Sequence, residues 1–286
     1  MSFLIEFLKL TRFEHAILLA LAVLVGETVT LGALPTISTI IILSLLVPIF
    51  SEMGAFSMND YFDIETDKIN DKKTPLVTGT ISPKFAIYFS ILAFIISTGL
   101  AFFINFSVFL IALIFNFLAI VYNVKLKDLP LWGNLYTGTT MAVPFIFGNL
   151  VVHPQWLLPV PLALAILAFI AGVAREIVKS VQDIKGDVKA RRSRTLPVVM
   201  GERASITIAS ILYLLFIPLS FAPFYFGLNP NIYSLFLITV ADGILLGIVA
   251  ALLANPSQNI YRTARKATLV IFFIGMIAIL WASVST

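Results

Sequence analysis

Cysteine is absent from the 286 residues, and histidine occurs only as His15 and His153. Disulfide frameworks, thiolate metal sites, cysteine nucleophiles and multi-histidine metal centres are therefore excluded, and any metal must be held by oxygen. Charge is scarce too. Asp, Glu, Lys and Arg make up 12% of the chain against 59% hydrophobic residues, and the mean hydropathy is +1.01. That balance belongs to a membrane protein. At roughly 20 apolar residues per crossing, nine crossings take about 180 residues and leave about 106 for loops. No large separate soluble domain fits, so residues 1–286 are expected to form one membrane-embedded unit. Lys9 and Arg12 precede a first apolar run of full membrane length with no small-residue cleavage pattern, so that run is not a signal peptide.

Nine apolar stretches lie near 14–33, 36–58, 84–104, 106–123, 134–152, 157–178, 204–226, 231–253 and 266–284. Turn signals separate several of them: Gly32 with Pro35, Asn105, His153-Pro154, Asn229-Pro230 and Asn255-Pro256. The expected fold class is all-α, a polytopic bundle with polar loops at about 59–84, 124–133 and 179–203. With these spans, all 19 Lys and Arg residues fall on one side and none on the other. The positive-inside rule then predicts a cytoplasmic amino terminus and an external carboxyl terminus in a cell membrane. The net charge of +4 reads as topology and attraction to anionic head groups. No stacking platform or groove-reading motif points to nucleic acid.

Two of the segments on the charged side, roughly 59–84 and 175–203, are longer and more charged than the rest. The first contains Asn59-Asp60-Tyr61-Phe62-Asp63-Ile64-Glu65-Thr66-Asp67. If the second helix continues through it, Asn59, Asp60, Asp63 and Asp67 fall within an arc of about 100°. Glu52 projects from the same face at membrane depth, where a carboxylate requires a polar cavity. The second runs from Arg175-Glu176 through Lys179 to Asp183 and Asp187, the last three stepping by four along one helical face. Unpaired carboxylates on one stripe repel each other, and a divalent cation removes the repulsion. Oxygen-only ligands favour Mg²⁺, which prefers one or two carboxylates plus phosphate oxygens to a closed protein cage. Two facing Asp clusters thus imply a bridged diphosphate, with Lys72, Lys73, Lys179, Arg191, Arg192 and Arg194 able to neutralise its remaining charge. The bland alternative is a pair of solvated helix ends whose acids pair with local lysines.

These residues carry a resemblance. Asn59-Asp60-Tyr61-Phe62-Asp63 with Asp67, then Tyr122-Asn123-Val124-Lys125-Leu126-Lys127 with Gly133-Asn134, then Arg175-Glu176-Ile177-Val178-Lys179 leading into Asp183 and Asp187, and finally Arg194-Thr195-Leu196-Pro197 stand in one order within nine spans. Together they resemble the UbiA-type superfamily of intramembrane prenyltransferases over nearly the whole chain. The second and third runs look most like its archaeal digeranylgeranylglyceryl phosphate synthase branch. The resemblance implies nine helices around a central chamber and Mg²⁺-dependent transfer of a geranylgeranyl group from its diphosphate to geranylgeranylglyceryl phosphate. Both substrates are lipids met in the bilayer. The sequence departs from the family at Thr74, where relatives usually carry arginine, and at Ser180 and Gln182, where acids are common.

On that reading Asn59, Asp63 and Asp67 face Asp183 and Asp187 as metal ligands, and Asp60 is a ligand or an orienter of ligands. Lys127, Lys179 and Arg194 stabilise the leaving group, and Tyr122 hydrogen-bonds the diphosphate or belongs to the interfacial aromatic belt. Arg175, Glu176 and Lys125 join the substrate-binding set. Arg12 binds the acceptor phosphate or is simply a topogenic charge. A UbiA-type enzyme with an aromatic acceptor is the nearest alternative, and a secondary transporter is the alternative from another class. The oligomeric state and the role of Asp242 are not encoded legibly.

Overall fold

A computed structural model describes residues 3–191 and 193–284, apart from the side chain of Arg191. Arg192 therefore lies outside the described residues. The chain is all-helical: α1 Phe3–Thr11, α2 Phe13–Leu31, α3 Thr39–Phe62, α4 Ile64–Ile69, α5 Pro83–Phe102, α6 Phe106–Val124, α7 Trp132–Val152, α8 Pro159–Gly186, α9 Leu196–Met200, α10 Glu202–Leu219, α11 Ala222–Tyr225, α12 Ile232–Ala254 and α13 Gln258–Val284. Among the described residues nine helices are long and apolar enough to cross a membrane: α2, α3, α5, α6, α7, α8, α10 with α11, α12 and α13. This is a multi-pass membrane protein.

The punctuation acts where helix chemistry says it should. The side chains of Ser38, Ser82, Asn105 and Asn231 cap the first turns of α3, α5, α6 and α12, and Asn231 with Ser234 forms a full capping box. Gly32 ends α2 at φ +67°, a conformation that suits glycine. Two expectations need correction. The last helix starts at Gln258, because Arg262, Arg265 and Lys266 fit into its first turns with their charges reaching past the apolar span. The second span does not run unbroken to Asp67: α3 stops at Phe62, Asp63 leaves the helical region at φ −102°, and α4 restarts. The i→i−4 hydrogen bonds Asp63 N–H to Asn59 C=O (2.9 Å) and Asp67 N–H to Asp63 C=O (2.7 Å) persist across the break, so it is a kink.

Inside lipid there is no hydrophobic gain from bringing helices together, so close backbone approach and polar contacts hold the bundle. Gly26 of α2 meets α7, where a Cβ would stand 2.5 Å from the Phe145 carbonyl oxygen. Gly148 of α7 returns the contact, with a Cβ position 2.2 Å from the Val23 carbonyl oxygen. Gly138 and Gly172 do the same between α7 and α8. Ser51, Ser97 and Asn116 tie α3, α5 and α6 together through bonds of 2.7 and 2.8 Å from the Ser51 hydroxyl. Large apolar side chains such as Ile95, Phe106 and Phe236 stay exposed on the outside, where lipid covers them.

The helices surround a cavity of about 330 Å³ bounded by α2, α3, α6, α7, α8, α10, α12 and α13. Its wall is mainly aliphatic and aromatic; Arg12, His15, Arg175, Glu176, Lys179 and Arg265 line it where α2, α8 and α13 meet the charged loops, and Asp242, bonded by the Ser220 hydroxyl (2.9 Å), lines it in mid-span on α12.

Candidate active site

The four sequence runs that stand far apart along the chain are cross-linked at one end of this chamber. Asn59 donates to the Asn123 side-chain carbonyl (3.0 Å), and the Lys127 ammonium donates to Asp63 (2.7 Å) and Asn123 (3.2 Å). The first run is thereby fixed to the second. Asn134 reaches Ser180 on α8 (3.2 Å), joining the second to the third. The Ser193 hydroxyl donates to Asp128 (2.6 Å) and the Arg194 N–H to the Asp128 carbonyl (2.9 Å), which draws in the fourth.

The join between the two acidic segments matters most. Lys72 lies between them, its Nζ 3.2 Å from Asp67 and 2.9 Å from Asp183. Beside it the Asn70 side chain accepts from the Gly186 N–H (2.9 Å) and points its amide at the Asp183 carbonyl (3.4 Å). Gly186 has no room for a side chain, since a Cβ would fall 2.3 Å from the Asn70 amide nitrogen. The π-helical turn Asp187–Arg191 packs against α4 and so carries Asp187 to the same place.

Asp60 and Arg12 are already paired. Arg12 sits between α1 and α2 at φ +44° and donates from Nη2 to Asp60 (2.9 Å), with its guanidinium 4.3 Å from the Phe56 ring centroid. Burial opposes the Arg12 charge, but the carboxylates of Asp60, Asp67 and Asp63 outweigh it and hold the guanidinium above its ordinary value. A strained backbone kept in place by an ion pair marks Arg12 as more than a topogenic charge. Burial pushes the Asp67 carboxyl above its ordinary value, against the pull of Lys72 and with the help of the neighbouring Asp63 charge.

Among the described residues no group of three or more Asp, Glu or His is gathered tightly enough to hold a metal by itself. Four of the candidate acids are instead held by protein cations: Asp60 by Arg12, Asp63 by Lys127, and Asp67 and Asp183 together by Lys72. The donor set still fits magnesium. It is all oxygen, and the Lys72 ammonium shows that a positive charge between the two segments is favourable.

Lys179 turns to Glu176 (2.9 Å) rather than to Asp183, yet both Lys179 and Glu176 line the chamber mouth with Arg175. Tyr122 also lines it, stacked on Tyr136 at 4.6 Å. Lys73, Lys125 and Arg194 are exposed, and Lys73 and Lys125 make no ion pair among the described residues. Sequence reasoning missed Asn70, Tyr136 and Arg265. Asn70 reads as an ordinary turn residue and Arg265 as a flanking charge. Only Asn123, within the quoted Tyr-Asn run, carried a signal.

The UbiA prenyltransferase family matches residues 17–275. The chain belongs to that family. It is 33% identical over 279 residues, covering 98% of this chain and 97% of the relative, to the digeranylgeranylglyceryl phosphate synthase of Thermococcus sibiricus. A solved structure reported for digeranylgeranylglyceryl phosphate synthase superposes with a TM-score of 0.74 at 27% identity over the whole of both chains. A UbiA homolog from Archaeoglobus fulgidus bound to GPP and Mg²⁺ gives 0.68 at 21% identity, over 96% of this chain and 99% of the other, and shows that the fold is shared. UbiA members are transferases, which decides against the transporter reading.

Proposed function

We propose that the protein is a Mg²⁺-dependent intramembrane prenyltransferase that moves a geranylgeranyl group from its diphosphate to the free hydroxyl of geranylgeranylglyceryl phosphate, giving the second ether bond of an archaeal-type membrane lipid. The observation that carries the reading is the meeting of Asp67 and Asp183 across Lys72 beside an apolar chamber. The relatives that match over nearly the full chain support the acceptor.

Asn59, Asp63 and Asp67 on one side and Asp183 and Asp187 on the other would hold the magnesium. When bound there it supplies Lewis-acid polarisation of the diphosphate. Lys72 swings aside from its two carboxylates and turns to phosphate oxygen, and Lys127 stabilises the charge that develops on the leaving group. The apolar chamber holds the prenyl chain and excludes water, which would otherwise quench the allylic cation to an alcohol. Tyr122, Tyr136 and Phe56 add aromatic surface to the chamber wall. The attacking hydroxyl must lose its proton. Glu52, which lines the chamber and has no hydrogen-bond or ion-pair partner among the described residues, accepts it. Asp60 orients Arg12 and through it the Asp63–Asp67 segment.

The placement of all 19 Lys and Arg residues supports a cytoplasmic orientation for the charged end of the bundle. Purified protein supplied with labelled geranylgeranyl diphosphate, Mg²⁺ and either geranylgeranylglyceryl phosphate or 4-hydroxybenzoate tests the acceptor. Transfer to the glycerol phosphate is expected, and transfer to the aromatic compound alone would reject the reading.

A further inference from the structure

Two arginines at the chamber mouth are left without a counter-ion. Arg175, on α8, and Arg265, in the first turns of α13, both line the chamber. Neither forms an ion pair among the described residues, and the Nε of each is buried with no hydrogen-bond partner. Arg265 gives one Nη1 bond to a neutral group, the Gln182 side-chain carbonyl (2.6 Å). Of the acids nearby, Glu176 is engaged by Lys179 (2.9 Å) and Asp183 by Lys72 (2.9 Å), and Glu52 lines the chamber without pairing to either arginine. Two guanidiniums lining one chamber repel, and each carries a buried Nε–H with nothing to accept it. An anion between them removes both costs, and the planar fork of arginine matches phosphate oxygens in pairs.

We propose that Arg175 and Arg265 form an anion site on the chamber wall that takes the phosphate monoester of the acceptor, apart from the acidic site that takes the diphosphate. The inference rests on the function proposed above and refines it. A transferase that joins two phosphorylated lipids must keep their head groups in different places. The diphosphate goes to the carboxylate segments, where metal offsets its charge. The monoester needs cations that no carboxylate already pairs, and Arg12 is unsuited because Asp60 already occupies it. Arg175 and Arg265 lie on α8 and α13, helices that pack against each other.

Two measurements test this on the full-length protein in nanodiscs. In the first, inorganic phosphate and glycerol 1-phosphate are titrated calorimetrically in Mg²⁺-free buffer into wild type, Arg175→Gln, Arg265→Gln and Arg265→Lys, each first checked for a normal melting temperature. Wild type binds, both glutamine variants lose binding, and the lysine variant keeps part of it. In the second, the acceptor KM rises about 10- to 100-fold in each glutamine variant, the range expected for loss of a charge-assisted hydrogen bond. The KM for the prenyl diphosphate stays within about two-fold. Removing the phosphate from the acceptor penalises wild type by the same factor and the glutamine variants hardly at all. Phosphate binding by Arg265→Gln equal to that of wild type overturns the site, whatever the acceptor. A raised KM for the diphosphate alone also overturns it, by assigning the arginines to the other head group. Arginine-dependent phosphate binding in a wild type that prenylates only aromatic compounds would reject the acceptor reading, and with it the assignment of the site to an acceptor phosphate.

Discussion

Replacing Gly186 with alanine probes the joint between the two acidic segments without touching a carboxylate. The new Cβ would stand 2.3 Å from the Asn70 amide nitrogen and 2.8 Å from Thr66 Cγ2. The Asn70 side chain must leave, giving up its bond from the Gly186 N–H and its contact with the Asp183 carbonyl. Net loss of two such bonds amounts to about 1–3 kcal/mol, and crowding against Thr66 adds about 1–3 kcal/mol. That is a local cost which nine packed spans survive, so the protein remains folded. The distance from Asp67 to Asp183 loosens, however, and misplacement of about 1 Å at a reacting centre costs on the order of 100-fold in rate. We expect Gly186→Ala to lower kcat/KM about 10- to 100-fold in a labelled prenyl-transfer assay and to shift half-saturation to higher Mg²⁺. Asn70→Ala should behave alike, and the double variant should be no worse than either single one, because both remove the same joint. Gly247→Ala, where nothing lies within 4 Å of the new Cβ, is the control. Wild-type Mg²⁺ dependence in Gly186→Ala would refute the reasoning.

Other consequences can be checked independently. Lys72→Met leaves Asp67 and Asp183 facing each other without a cation, so the metal-free protein should melt earlier than wild type and added Mg²⁺ should raise its Tm by more. Equal Mg²⁺ shifts would contradict that account. Glu52→Gln should lower kcat with little change in either KM, and it should leave the hydrolysis of geranylgeranyl diphosphate to alcohol intact, since ionisation does not need that base. Parallel loss of hydrolysis and transfer would place Glu52 in ionisation instead. Gly148→Leu drives a side chain into the Val23 carbonyl and the backbone of α2. It should abolish recovery of folded protein from detergent extracts, and normal yield would show that the α2–α7 crossing is looser than described.

The spans were legible because lipid imposes length and hydrophobicity on every crossing, and because Asn105, His153 and Asn255 mark helix ends plainly. The charge asymmetry also counted the spans correctly. Helix ends on the charged side were harder to read. Arg265 and Lys266 look like loop residues until a long side chain is allowed to reach polar surroundings from inside a helix. The acidic segments could be paired from their positions alone, but the agents that pair them could not. Lys72 and Asn70 sit in an ordinary polar turn, and their roles depend on a partner 111 to 116 residues away. The kink at Asp63 escaped because a continuous 100° periodicity fits the same residues almost as well. Arg12 was visible as a candidate, but its pairing with Asp60 arises from a left-handed turn that no local pattern announces.

The central claim is that both carboxylate segments serve one metal-bound diphosphate. Electron paramagnetic resonance of Mn²⁺, substituted for Mg²⁺ and titrated with a non-hydrolysable prenyl diphosphate analogue into wild type, Asp67→Asn and Asp183→Asn, tests it most directly. Loss of analogue-dependent Mn²⁺ binding in both variants is the predicted result. Full binding in Asp183→Asn with loss only in Asp67→Asn would contradict it.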